Sequence, residues 1–141
     1  MSRYLLDTNI VIFLITQEKD NLNRNVQAIL KDYENEFLVS IDSIRELIVA
    51  YRRKKLLTKV FKTSLEMVES LQRDYGIRII QTDMEVMRTM AKLTVNEAQE
   101  HNDPSDHIII AQAITMLLPL ISSDRKFPFY KDQGLDLIEN I

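Results

Sequence analysis

Four acidic residues, Asp7, Glu46, Asp106 and Asp124, stand where apolar runs of the sequence stop or restart. Asp7 ends the run Tyr4-Leu5-Leu6 and precedes a second apolar run from Ile10 to Ile15. Glu46 follows Phe37-Leu38-Val39 by about two helical turns. Asp106 opens the apolar stretch from His107 to Met116, and Asp124 follows Leu120-Ile121. If these runs are strands and helices of one parallel sheet, all four acids can face the edge where open α/β sheets gather ligands. Converging carboxylates repel one another and raise each other's pKa values. A hard divalent cation relieves that repulsion, and Mg²⁺ or Mn²⁺ suits an oxygen ligand set. Such an ion activates water and stabilises charge on a phosphoryl group, so the chemistry indicated is metal-assisted phosphodiester hydrolysis with no side-chain nucleophile.

Local pattern alone gives these residues plainer roles. Asp7 is a favoured helix N-cap. Glu46 lies well away from the helical face formed by Ile41, Ile44, Leu47, Ile48 and Tyr51, which makes it solvated. Asp103-Pro104 is a strong helix start, with Asp103 a cap in preference to a metal ligand. Asp106 falls at the third helical position, from which an acid can reach back to the cap.

The elements that must position these residues read as β-α-α-β-α-α-β-α-α-β with a further edge strand. Strands are expected at Tyr4–Leu6, Phe37–Val39, Ile77–Ile80 and Leu120–Ile121, with Leu135–Ile138 as the last. Helices are expected after Asp7, through Leu22, Val26, Ile29, Leu30 and Tyr33, and after Ser40. A long helix is expected from about Leu56 to Tyr75, with Val60, Phe61, Met67, Val68 and Leu71 inward and Gly76 ending it. Another helix, capped by Thr82 or Asp83, turns Val86, Met87, Met90, Ala91 and Leu93 inward. Glu97 to Asn102 reads as a polar loop. Alternating strands and helices define an α/β protein with a parallel sheet of four to five strands covered on both faces.

The 141 residues show no repeat, linker or low-complexity segment, so residues 1–141 are read as a single domain. With 45% hydrophobic and 28% charged residues, the chain is expected to be soluble and globular. Two glycines and three prolines disfavour a turn-rich all-β fold. The absence of cysteine excludes thiolate chemistry and is compatible with a reducing cytoplasm. The sequence has no signal-peptide pattern and no apolar run of membrane-spanning length. A net charge of −3 does not advertise nucleic-acid binding, but Arg52, Arg53, Lys54, Lys55 and Lys59 form a local basic cluster. That cluster suits the dipole at a helix C-terminus as well as a phosphate backbone.

Together these segments resemble the PIN-domain proteins, and most closely the VapC-type toxins of bacterial toxin–antitoxin pairs. The resemblance runs from Leu5 to about Phe127. It rests on Leu5-Leu6-Asp7-Thr8-Asn9, Ser40-Ile41-Asp42-Ser43-Ile44-Arg45-Glu46-Leu47, Asp103-Pro104-Ser105-Asp106 with Ile110-Ala111-Gln112-Ala113, and Leu120-Ile121-Ser122-Ser123-Asp124-Arg125-Lys126-Phe127. It implies a PIN-like three-layer α/β/α fold and one or two Mg²⁺ or Mn²⁺ ions held by Asp7, Glu46, Asp106 and Asp124. Thr8, Asn9 and Ser122 would support that set. It further implies an endoribonuclease acting on RNA, often a transfer or ribosomal RNA, a homodimer, and a cognate antitoxin that blocks the active-site groove. Related chains often carry an aromatic residue and an arginine where Ser105 and His107 stand here.

Three other readings compete. A ribonuclease could use His101 and His107 as an acid–base pair, although both lie on one short segment. A receiver-like signalling domain would bind Mg²⁺ at Asp7 and accept phosphate on Asp83. A catalytically silent module would keep the fold only for partner contacts.

Overall fold

A computed structural model of the chain describes residues 2–56 and 60–141. Its centre is a five-stranded sheet in the order β3-β2-β1-β4-β5, made of β1 (Arg3–Leu6), β2 (Glu36–Ser40), β3 (Arg78–Ile80), β4 (Leu120–Ser122) and β5 (Leu137–Glu139). Every pairing is parallel. Parallel neighbours need crossovers, and helices supply them: α1 (Thr8–Ile15), α2 (Arg24–Lys31), α3 (Ile41–Arg52), α4 (Ser64–Arg73), α5 (Met84–Lys92) and α6 (Pro104–Met116).

The strands are short and apolar because both faces of the sheet are covered. Side chains alternate across a strand, and adjacent residues therefore enter two separate cores. Leu6, Val39 and Ile121 pack with Ile10, Val11, Val26, Leu47 and Met67 of α1–α4. Leu5, Leu38 and Leu120 pack on the other side with Ile109, Ile110 and Ala113 of α6 and with Phe127 and Tyr130. Each fully buried side chain of this size adds roughly 1.5–3 kcal/mol. The result is an α/β/α sandwich.

Several elements differ from the sequence pattern. Of the helix expected from about Leu56 to Tyr75, residues 57–59 lie outside the described residues, and among the described ones the helix is α4, whose start is set where the Thr63 side chain accepts the Glu66 N–H. Val60 is exposed, whereas Phe61 is buried without being helical. Tyr33, placed on an inward face by periodicity, lies beyond α2 and is exposed. Ala91 of α5 is also exposed. Asp83, not Thr82, caps α5 by accepting the Val86 N–H. The polar segment before α6 contains a 3-10 turn, Glu97–Gln99, flanked by the buried side chains of Asn96 and His101.

Strand order reverses at β1. The chain moves outward from β1 through β2 to β3, then returns to place β4 on the other side of β1. The crevice beyond the carboxyl ends of β1 and β4 is the topological switch point, where open α/β sheets bind ligands.

Candidate metal centre

Asp7 enters this crevice directly from β1. Its backbone N–H donates to the Ile121 carbonyl of β4 at 3.0 Å, so the strand pairing fixes its position. It also caps α1: Oδ1 accepts the Thr8 N–H at 2.8 Å. Its other oxygen, Oδ2, accepts from Ser122 Oγ at 2.7 Å. Asp7 is thus both the cap of α1 and a residue of the crevice. Ser122 in turn accepts the Asp124 N–H at 3.0 Å, tying the turn after β4 to Asp7.

Thr8 reaches across to α3. Its hydroxyl donates to Glu46 Oε1 at 2.7 Å and lies 2.9 Å from Ser43 Oγ. With one proton on each hydroxyl, Ser43 is the donor in the second contact. Glu46 is half-buried, which corrects the solvated position read from its helical wheel. Asp103 caps α6 by accepting the Ser105 N–H at 3.0 Å, and its side chain is exposed. Asp106 does not reach back to that cap. Its Oδ2 instead meets His101 Nε2 at 2.9 Å.

Asp7, Glu46, Asp106 and Asp124 line one open cleft of about 310 Å³, together with Thr8, Asn9, Ile12, Ala50 and Asp103. The structure therefore brings together all four predicted acids and the supporting Thr8, Asn9 and Asp103. Ser122 holds Asp7 from beneath. Among the described residues, no lysine, arginine or histidine lines this cleft. Among the described residues, none of the four acids forms an ion pair with a lysine or arginine.

That imbalance appears in the protonation equilibria. Burial pushes Asp7 up from an ordinary 3.8 to about 7; the Ser122 hydrogen bond opposes the rise, and the Asp106 charge adds to it. Burial likewise raises Asp106 to about 7, helped by the charges of Asp103, Asp124 and Glu46. Glu46 is raised by burial against the Thr8 hydrogen bond. A cluster of oxygen donors in which burial and mutual repulsion outweigh the nearby Lys126 and Arg45 charges is the donor chemistry of a hard divalent cation.

The basic cluster is only partly near. Arg53 and Lys55, with Arg45, line a second groove of about 320 Å³ that shares Glu46, Ala50 and Asp103 with the acidic cleft. Arg52 and Lys54 are exposed but do not line it, and Lys59 lies outside the described residues. Arg45 braces the shared rim by donating to Asp42 and to Ser105 Oγ.

The histidines are structural in placement. His101 and His107 are buried, pack edge to face at 4.9 Å between ring centroids, and face Tyr130. Burial lowers the pKa of both rings. Neither opens into the cleft, which removes the geometric basis for a histidine acid–base pair. Asp83 is occupied as a helix cap beyond β3, two strands from Asp7, so the receiver arrangement is not formed. Three polar residues here escaped sequence reasoning: Ser43, Tyr130, and His101 as a partner of Asp106. Ser43 lies within the motif of residues 40–47, whose pattern gives it no role, and neither Tyr130 nor His101 lies in a motif that announces it. A carboxylate oxygen of Asp106, one of Asp124 and a ring nitrogen of His101 nevertheless lie within 4.8 Å of one another.

A parallel α/β/α domain with an acidic cleft at its switch point is the class that fold and site define. The PIN-domain family model matches residues 4–132, and the chain belongs to that family. In sequence, no curated protein matches it. Solved structures similar to it include VapBC2 from Rickettsia felis bound to a DNA fragment from its promoter, with a TM-score of 0.70 and 19% identity over 97% of this chain and 98% of that one. VapBC-1 from nontypeable Haemophilus influenzae gives 0.70 and 19% over 97% of each chain. FitAcB from Neisseria gonorrhoeae gives 0.64 and 21% over 97% of each. At these identities the likeness is one of fold.

Proposed function

We propose that the chain is a divalent-metal-dependent endoribonuclease and the toxin of a toxin–antitoxin pair. The observation that carries this reading is the convergence of Asp7, Glu46, Asp106 and Asp124 on one cleft that no cationic side chain among the described residues lines, within a PIN fold. Asp7, Glu46, Asp106 and Asp124 would hold one or two Mg²⁺ or Mn²⁺ ions. Bound there, such an ion would supply an activated water and charge stabilisation at phosphorus. The residues of the chain do the rest. Ser122 and the Thr8 N–H hold Asp7 with one bond to each oxygen, and Thr8 fixes Glu46. The adjoining groove offers Arg53 and Lys55 to the phosphate backbone of RNA.

Whole-chain similarity to VapBC complexes supports an antitoxin as partner. The same reading carries a homodimer, a cytoplasmic site of action, and a transfer or ribosomal RNA as substrate. No helix of the described residues is long and apolar enough to cross a membrane.

Purified, antitoxin-free chain incubated with total cellular RNA tests the proposal. Discrete fragments are expected with Mg²⁺ or Mn²⁺, and none with EDTA or with Asp7→Asn or Asp106→Asn. Cleavage that persists in both variants would refute the site. Tight metal binding without cleavage of any RNA would favour the silent module.

A further inference from the structure

His101 sits directly behind the acidic cleft, yet nothing in the hydrolytic reading uses it. Its side chain is 1% exposed, and both ring nitrogens are engaged. Nδ1 lies 2.9 Å from the Tyr130 hydroxyl, and Nε2 lies 2.9 Å from Asp106 Oδ2.

The proton positions follow from what the tyrosine can do. Tyr130 Oη accepts the backbone N–H of Asn96 at 3.1 Å. Its single proton must then go to an acceptor. His101 Nδ1 at 2.9 Å is the good one, whereas His107 Nε2 at 3.5 Å is at the limit of a hydrogen bond. His101 Nδ1 is therefore an acceptor, and the ring proton sits on Nε2, directed at Asp106. One oxygen of Asp106 is thereby held from behind. No hydrogen bond among the described residues engages Oδ1, and Asp106 lines the cleft.

We infer that His101 is a positioning residue: locked by Tyr130 as the Nε2–H tautomer, it fixes Asp106 so that a single carboxylate oxygen, Oδ1, faces a divalent cation. The relay runs from the Asn96 backbone through Tyr130 and His101 to Asp106. Outer hydrogen-bond partners of ligating groups commonly change metal affinity 10- to 100-fold when removed. The inference rests on the metal-centre reading above but concerns a different residue and has its own test.

The test contrasts two amides. The amide nitrogen of His101→Gln reaches the position of Nε2 and can still donate to Asp106. His101→Asn reaches only the position of Nδ1 and cannot. Both lose the same ring packing against Phe127 and Tyr130. Binding of Mn²⁺ is read by the electron paramagnetic resonance signal of the free ion, and folding by thermal denaturation in EDTA. The expected result is Mn²⁺ affinity within about threefold of wild type for His101→Gln, but about 10- to 100-fold weaker for His101→Asn and His101→Phe. The two amide variants should melt alike in EDTA. Equal affinity in all three variants, or equal loss in all three, would overturn the role. If His101→Asn does not fold, the Gln and Phe pair decides by the same criterion. Wild-type chain that takes up no Mn²⁺ would refute the metal centre itself, a separate failure.

Discussion

A buried carboxylate without a cation costs stability, and Asp7 lets that cost be worked out. The perturbation is Asp7→Asn. Asparagine keeps the helix cap, since its Oδ1 can accept the Thr8 N–H, and its amide can donate to Ser122 Oγ. The charge is lost, and the Ser122 hydroxyl, which donated to Asp7, turns acceptor and gives up that donor bond. Burial raises Asp7 from 3.8 to about 7, a difference worth roughly 4 kcal/mol. Below about pH 4 the residue is protonated in both folded and unfolded chains, and its charge costs nothing. As pH rises from about 4 to about 7, the unfolded chain releases the proton before the folded one does, and the metal-free fold weakens. Above about pH 7 both are ionised and the full penalty stands. Urea denaturation in EDTA should therefore show wild type and Asp7→Asn equally stable near pH 4, with the variant ahead by up to about 4 kcal/mol at pH 8. The slope left in the variant belongs to Asp106 and Glu46, which burial also raises. Saturating Mn²⁺ should narrow that gap. A ligand at a hundred times its Kd adds about 2.7 kcal/mol to the wild type, and the variant should gain far less. Parallel pH profiles in EDTA, or the same gain from Mn²⁺ in both chains, would refute the reasoning.

Two further outcomes follow from the cleft and its rim. Asp103 is a cap whose charge faces the cleft, so Asp103→Ala should cost about 1 kcal/mol of stability and Asp103→Ser much less, with cleavage retained in both; a loss of cleavage as deep as that of Asp106→Asn would make Asp103 a ligand. Replacing Arg53 and Lys55 with alanine should reduce the salt slope of single-stranded RNA binding by about 1.4, if each neutralises one phosphate, and an unchanged slope in filter binding would remove the groove from the substrate path.

The strands and their order of appearance are legible because each is a short apolar run ended by a polar cap, as with Leu6 and Asp7 or Val39 and Ser40. The stretch from Leu56 to Tyr75 is not legible in the same way. Val60, Phe61, Met67 and Leu71 keep a helical period, but periodicity does not register where backbone hydrogen bonding begins. Thr63 starts α4, and the Phe61 carbonyl is taken by the Tyr51 hydroxyl instead. Glu46 shows the limit of a helical wheel. One apolar stripe defines the wheel, while α3 also meets Thr8 at the start of α1, and that contact buries the carboxylate.

The acids of the cleft are legible one by one, since sheet topology brings strand ends together whatever the side chains do. Their support is not, because it is made by residues distant in sequence. Tyr130 lies 29 residues beyond His101, and Asn140 lies 117 beyond Asn23. Asn140 accepts the Asn23 N–H and donates to the Asn21 carbonyl and to Ser123, so the chain end buttresses the turn that presents Asp124. A polar run such as Glu97 to Asn102 reads as solvated because its one apolar residue, Ala98, sets no periodic pattern. His101 is buried by Phe127 and Tyr130, from the segment that follows β4. A buried polar group must find a partner or carry a desolvation cost. For His101 the partners are the Tyr130 hydroxyl and an acid of the cleft. The same burial that hides the histidine from sequence pattern therefore couples the second core to the orientation of Asp106.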